Sequence, residues 1–271
     1  MKRLTELSAP ALAGVVRARS TRGAIAEIKN CGLDGATMID LHLSCLEKTD
    51  TDSLKRIMEA SRLPVLALNY NNDIDWKDAG LTEEERVASL LRALEAGAVG
   101  IDMQGYTFDR PSKSAFYGED IYSFTKGNPK EVVTDNTVIA KQCDLIAQVH
   151  EMGGEVLLSC HPGIPMNAAQ VVDLALFLEK RRPDIIKIVT KANDEDDLAE
   201  SIRAMLLLKK EVKKPVAYHV NGKAGMASRI INPLLGGKIA FCVDRYDEAS
   251  TMEQIDLSGA AATVDYLRKI L

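Results

Sequence analysis

Short apolar runs alternate eight times with longer amphipathic ones along this chain, and that alternation predicts a (β/α)8 TIM barrel. Two further observations agree. The length of 271 residues is close to the ~250 typical of such a barrel. The apolar runs are nearly continuous, as parallel strands covered on both faces must be. A doubly wound open sheet is the alternative. It usually carries a glycine-rich turn after its first strand, and Arg17-Ala-Arg-Ser-Thr-Arg-Gly23 does not fit GxGxxG.

The first strand is expected over Ala11–Arg17, followed by a helix over Thr21–Cys31. Strands over Ala36–Leu43, Pro64–Tyr70 and Gly97–Gln104 follow, with helices over Asp52–Ser61 and Thr82–Ala96. The segment Gly105–Asp135 holds Arg110-Pro111 and Gly127-Asn128-Pro129. It is too long for a plain connector, and it is expected as an insertion across the barrel mouth or at an oligomer contact. A helix over Asn136–Met152 leads to a strand over Glu155–His161 and a helix over Asn167–Arg181. The strand Asp184–Lys191 precedes a helix over Asp194–Lys210, with Asn193 as its cap and acidic residues in its first turn. The last elements are a strand over Pro215–Asn221, a helix over Ala224–Leu235, a strand over Lys238–Asp244 and a helix over Ile255–Ile270. No linker interrupts the series, so one domain over 1–271 is expected.

Composition narrows the function. A hydrophobic share of 46% with 27% charged residues is ordinary for a soluble globular protein. A net charge of −5 and the lack of a basic stripe argue against a nucleic-acid partner. No apolar run approaches the ~18 residues of a membrane span, and Met1-Lys-Arg-Leu-Thr-Glu-Leu7 lacks the apolar centre of a signal peptide. A cytoplasmic location is therefore expected. Five cysteines (Cys31, Cys45, Cys143, Cys160 and Cys242), odd in number and without CxxC, predict neither a disulfide framework nor a zinc site. Cys160 next to His161 could pair as nucleophile and base, but strand neighbours point to opposite faces. The four histidines are too scattered to predict a metal, and His150 is expected on an exposed helix face.

Lys187 stands in the middle of Asp184-Ile-Ile-Lys-Ile-Val-Thr-Lys191. Burying an unpaired ammonium is costly. Such a lysine either meets a carboxylate or serves as a neutral nucleophile that forms a Schiff base with a carbonyl substrate. In this fold the chemistry lies where strands end, and those ends are polar here. Asp40 and His42 share a face of the second strand, and Asp102 and Gln104 share one of the fourth. Tyr70, His161, His219, Asn221 and Asp244 stand at the ends of others. His161 is the expected general base.

At these residues the chain resembles type I 3-dehydroquinate dehydratase, a Schiff-base family of the class I aldolase barrels. Val156-Leu-Leu-Ser-Cys-His161 is similar to the family's strand with the catalytic histidine. Asp184-Ile-Ile-Lys-Ile-Val189 is similar to the strand with the Schiff-base lysine, at Lys187 rather than Lys191. Gly225-Met-Ala-Ser-Arg229 resembles the G-x-x-S-R motif, whose arginine binds the substrate carboxylate, and Gly236-Gly-Lys-Ile-Ala-Phe241 follows at the family's spacing. Ala249-Ser-Thr-Met-Glu-Gln254 resembles the closing loop and keeps Ser250 and Gln254.

The first half departs. Asp40-Leu-His42 stands where the family has E-x-R, and Tyr70 stands where it has a substrate-contacting arginine. The glutamate that normally follows has no clear counterpart among Asn71–Asp75.

The resemblance implies a hydro-lyase of the shikimate or quinate pathway and aromatic amino acid biosynthesis, acting on a small hydroxy-keto acid, with no cofactor and no metal. It implies Lys187 and His161 as catalytic, and Arg229, Ser250, Gln254, Asp40, His42 and Tyr70 as the substrate shell. It also implies a homodimer, on which the sequence is otherwise silent. A class I aldolase or a dehydratase paralogue with another substrate is the second hypothesis, and a ligand-binding barrel without activity is the third.

Overall fold

The computed structural model describes residues 1–70, 81–109, 133–247, 250 and 253–270. The Asn71–Asp75 stretch and residues 110–132 of the expected insertion lie outside them. In chain order the elements are β1 (Ala11–Val16), α1 (Thr21–Leu33), β2 (Met38–His42), α2 (Thr51–Ala60), β3 (Val65–Leu68) and α3 (Glu83–Glu95). Then come β4 (Gly100–Gln104), α4 (Asn136–Glu151), β5 (Glu155–Cys160), α5 (Ala168–Glu179), β6 (Ile185–Lys191) and α6 (Glu195–Glu211). The series ends with β7 (Val216–Asn221), α7 (Ser228–Leu234), β8 (Ile239–Val243), β9 (Ile255–Asp256) and α8 (Leu257–Ile270).

All strand pairs are parallel, in the order β7-β6-β5-β4-β3-β2-β1-β8-β9. The sheet curls until β7 and β8 face each other, where the Lys238 amide donates to the Val216 carbonyl at 2.8 Å. Higher in that seam, β9 pairs with β8 through Cys242–Ile255 and Val243–Asp256.

The period of two divides each strand between two environments. Outward side chains such as Ile39, Ile101, Leu158, Ile188 and Val220 pack with the helices. Inward ones at the N-terminal end, among them Ala13, Met38, Leu66, Leu157, Ile185 and Ala217, form a second apolar cluster that includes Leu4. The amino-terminal segment closes this end. The Leu4 amide and the Thr5 hydroxyl donate to the buried Glu155 carboxylate, each at 2.5 Å, and Lys238 Nζ donates to the Thr5 and Leu7 carbonyls. The interior is thus apolar at the bottom, and the inward positions turn polar towards the top.

Four expectations need correction. The strands β1, β3 and β5 stop one or two residues early, leaving Arg17, Tyr70 and His161 just beyond the last paired residue. The last helix begins at Leu257, because Ile255 and Asp256 use their backbone to complete the edge of β8. The expected helix over Ala224–Leu235 is a 3-10 turn, Lys223–Gly225, followed by α7. The cap of α6 is Asp194, whose side chain accepts from the Asp197 amide, and Asn193 instead donates its amide to Asp197.

Candidate active site

The top of the interior forms a pocket. Its walls include Lys187, His161, Tyr70, Asp40, His42, His219, Arg229, Gln254, Arg17 and Phe241. Strand register accounts for the gathering. Ser159 pairs with Lys187 and Gln104 pairs with Ser159. Inward residues of neighbouring strands therefore stand side by side at one height.

Lys187 is 6% exposed and meets a carboxylate, one of the two outcomes left open by the sequence. Its amine lies 3.3 Å from Asp102 Oδ2 and 3.1 Å from the Tyr70 hydroxyl. It also lies 4.4 Å from the centre of the Phe241 ring, within range of a cation–π attraction. Asp102 is held on its other side by the Ser159 hydroxyl at 2.5 Å and by Gln104 Nε2 at 3.3 Å. Gln104 in turn accepts from Arg86 Nη1. The fully buried Arg86 reaches from α3 to Glu83, the Asn69 carbonyl and Thr107. Burial works against its charge, but the Glu83 bond prevails and raises its pKa. A continuous polar chain thus runs from the helix layer to the lysine.

His161 sits directly after β5, its Nε2 3.2 Å from the Tyr70 hydroxyl. Cys160 faces the other way into the helix-side core, so the two do not form a nucleophile pair. On the opposite wall Asp40 Oδ2 lies 3.7 Å from His42 Nε2, and the His42 ring meets Tyr70 edge-on at 6.0 Å. His219 is also inside. Burial, then repulsion by Arg229, Lys187 and His161, depress its pKa well below the usual 6.5, so it is neutral at neutral pH.

Arg229 owes its place to local chemistry. A side chain at Gly225 would press on the Val220 carbonyl at 2.8 Å, so glycine lets the turn close. The Ser228 hydroxyl then accepts from the Val220 amide at 2.9 Å and donates to the Gly225 carbonyl at 2.7 Å. This fixes the first turn of α7 against β7. Arg229 Nη2 donates to Asn221 at 2.6 Å, and Glu253 stands 3.9 Å away. Burial lowers its pKa to about 10, still charged at neutral pH.

Three buried polar atoms of the pocket, Arg229 Nε, Asp40 Oδ1 and Gln254 Oε1, have no hydrogen-bond partner among the described residues. Buried polar atoms nearly always have one, so these fit a polar ligand. Ser250 does not join them. It bonds to Asp247 and lines the adjoining cavity with Glu27, Asp244 and Arg245. Arg17 was not among the expected site residues, yet it lines both cavities. Its place at the end of the first strand was the available signal. Among the described residues no cluster of His, Cys, Asp or Glu could hold a metal ion, and no helix is long and apolar enough to cross a membrane.

A lysine amine among titratable groups at the strand ends of a barrel stands where such folds carry their chemistry and is a residue type able to attack a carbonyl. The sequence model of the Type I 3-dehydroquinase family matches residues 13–269, and the chain belongs to that family. A curated relative, 3-dehydroquinate dehydratase of Desulfotalea psychrophila, is 27% identical over 226 residues, covering 83% of this chain and 84% of that one. A solved type I 3-dehydroquinate dehydratase from Clostridium difficile, carrying covalently modified comenic acid, superposes with a TM-score of 0.77 at 13% identity, covering 98% and 95% of the two chains. The 3-dehydroquinate dehydratase of Geobacillus kaustophilus gives 0.76 at 14%, covering 99% and 96%. At such identity these two structures speak for the fold.

Proposed function

We infer that the chain is a hydro-lyase that dehydrates 3-dehydroquinate to 3-dehydroshikimate through an iminium on Lys187. Family membership supports the reaction. The observation that carries the roles is the buried Lys187 amine within 3.1 Å of Tyr70, which is itself 3.2 Å from His161.

The Lys187 amine attacks the substrate ketone, and loss of water leaves an iminium. That cation draws electrons from the adjacent carbon and makes its proton acidic. His161 removes the proton as general base, and the resulting enamine expels the β-hydroxyl, which leaves as water with the proton that His161 returns. Hydrolysis frees the enone acid and the lysine. Arg229 holds the substrate carboxylate through its Nε, which has no partner among the described residues, and Gln254 lines the same pocket. Arg17 adds a second cation. Both guanidinium groups line the pocket and attract an anionic substrate. Asp40 Oδ1 accepts from a substrate hydroxyl on the opposite wall.

Mixing the protein with 3-dehydroquinate should produce the absorbance of the enone, and Lys187→Ala should abolish it. Loss of the signal in both proteins would sink the reading. One observation favours a second reading, a related hydroxy-keto acid as the better substrate. His42 and Tyr70, beside Asp40, stand in the wall at positions where the family pattern has arginines. A kcat/KM at least ~100-fold higher for such an acid than for 3-dehydroquinate would establish it.

A further inference from the structure

Tyr70 stands where the family pattern has an arginine, and its hydroxyl occupies the space between the two groups that carry the reaction. The hydroxyl is 3.1 Å from Lys187 Nζ and 3.2 Å from His161 Nε2. All three side chains are buried, at 7%, 6% and 1% exposure. The tyrosine ring is held edge-on between His42 at 6.0 Å and His161 at 5.6 Å. An ammonium can only donate. The Tyr70 oxygen therefore accepts from Lys187, and in the tautomer that leaves His161 Nε2 as an acceptor the Tyr70 hydroxyl donates to it. An arginine could not do this, because a guanidinium has no acceptor and does not give up a proton in proteins.

We propose that Tyr70 is a third catalytic residue, which relays protons between Lys187 and His161 while the iminium forms. This rests on the Schiff-base reading above. The Lys187 ammonium passes a proton to the Tyr70 oxygen as the phenol gives its own to His161. The freed Nζ lone pair bonds to the ketone carbon, and the carbonyl π pair moves onto oxygen. One nitrogen proton then crosses to that oxygen through Tyr70, giving a neutral carbinolamine. The nitrogen lone pair next forms the C=N bond as the C–O bond breaks. The departing oxygen leaves as water with the proton that His161 returns through Tyr70. The sum is an ammonium and a ketone converted to an iminium and water, with no net gain or loss of protons. His161 ends neutral, the state it needs to take the substrate proton in the following step.

The test is the rate at which a borohydride-trapped adduct forms on Lys187 after rapid mixing with 3-dehydroquinate. Tyr70→Phe keeps the ring and removes the relay, and should slow adduct formation by roughly 100-fold, the ordinary worth of a positioned acid–base group. Replacing Tyr70 by fluorinated tyrosines of graded acidity keeps the hydroxyl in place and covers the case in which the phenylalanine variant fails to fold. The adduct rate should then vary systematically with the acidity of the phenol, which a merely spacing hydroxyl would not produce. Adduct formation at the wild-type rate in Tyr70→Phe, or rates indifferent to phenol acidity, would overturn the relay and leave the Schiff-base reading intact. A wild-type protein that forms no adduct would overturn both.

Discussion

Lys187 could be read from the sequence because a charge in the middle of an apolar strand violates the pattern around it. His161 could be read because Pro162-Gly163 ends its strand at the mouth. Asp40 and His42 followed from the period of two. Arg17 was hidden, since it opens a stretch with Arg19 and Arg22 and only its place at the end of the first strand separates a pocket cation from solvated ones. Ser250 carried a motif position, yet bonds to Asp247 in the adjoining cavity. Two substitutions test the cation assignment. Arg229→Ala should lower kcat/KM about ten- to a hundredfold, matching the ~1.5–3 kcal/mol of a hydrogen bond to a charged group. Arg17→Ala should lower it at least about threefold without abolishing the Lys187 adduct. Unchanged steady-state kinetics in either variant would remove that residue from the substrate shell.

At the level of elements, strand and helix order was legible throughout, and the ends were less so. Strand ends depend on which backbone groups find partners, and those partners lie on other strands. The short β9 is the clearest example, since only the open edge of β8 gives Ile255 a ladder to join. Arg86 is another residue whose role the sequence did not disclose. In a helix with Glu83, Glu84 and Glu85 in its first turn it looks like a surface ion-pair partner, but it is fully buried and bridges α3 to the ends of β3 and β4. Arg86→Met should cost about 2–6 kcal/mol in chemical denaturation, because it takes the donor from two buried acceptors, the Gln104 side-chain oxygen and the Asn69 carbonyl. Arg86→Lys should recover little, since a point charge cannot serve four partners in a fork geometry. A cost under about 1 kcal/mol for Arg86→Met would show that the polar chain behind Asp102 is not held by this residue.

For the whole molecule, the closed barrel was predicted by counting βα units, whereas its division into an apolar bottom and a polar top emerged only from the register between strands. Closure also brings together distant acids. Burial, then a hydrogen bond and repulsion from Asp34, push the Asp244 carboxyl up to about 6 from its ordinary 3.8, although Arg245 opposes this. Between those values the folded protein keeps a proton that the unfolded chain has lost. The stabilisation from this pair is therefore complete below about pH 4 and disappears as the pH rises through about 6. Thermal melts of Asp244→Asn should accordingly gain on the wild type as pH rises from 4 to 8, and parallel curves would refute the assignment. The central claim is that a lysine inside this barrel becomes covalently bound to a keto acid. Its most direct test is borohydride reduction in the presence of 3-dehydroquinate, followed by mass spectrometry of the digested protein. The account predicts one reduced adduct, on the peptide that holds Lys187. An unmodified Lys187, or an adduct on Lys191 in its place, would contradict it.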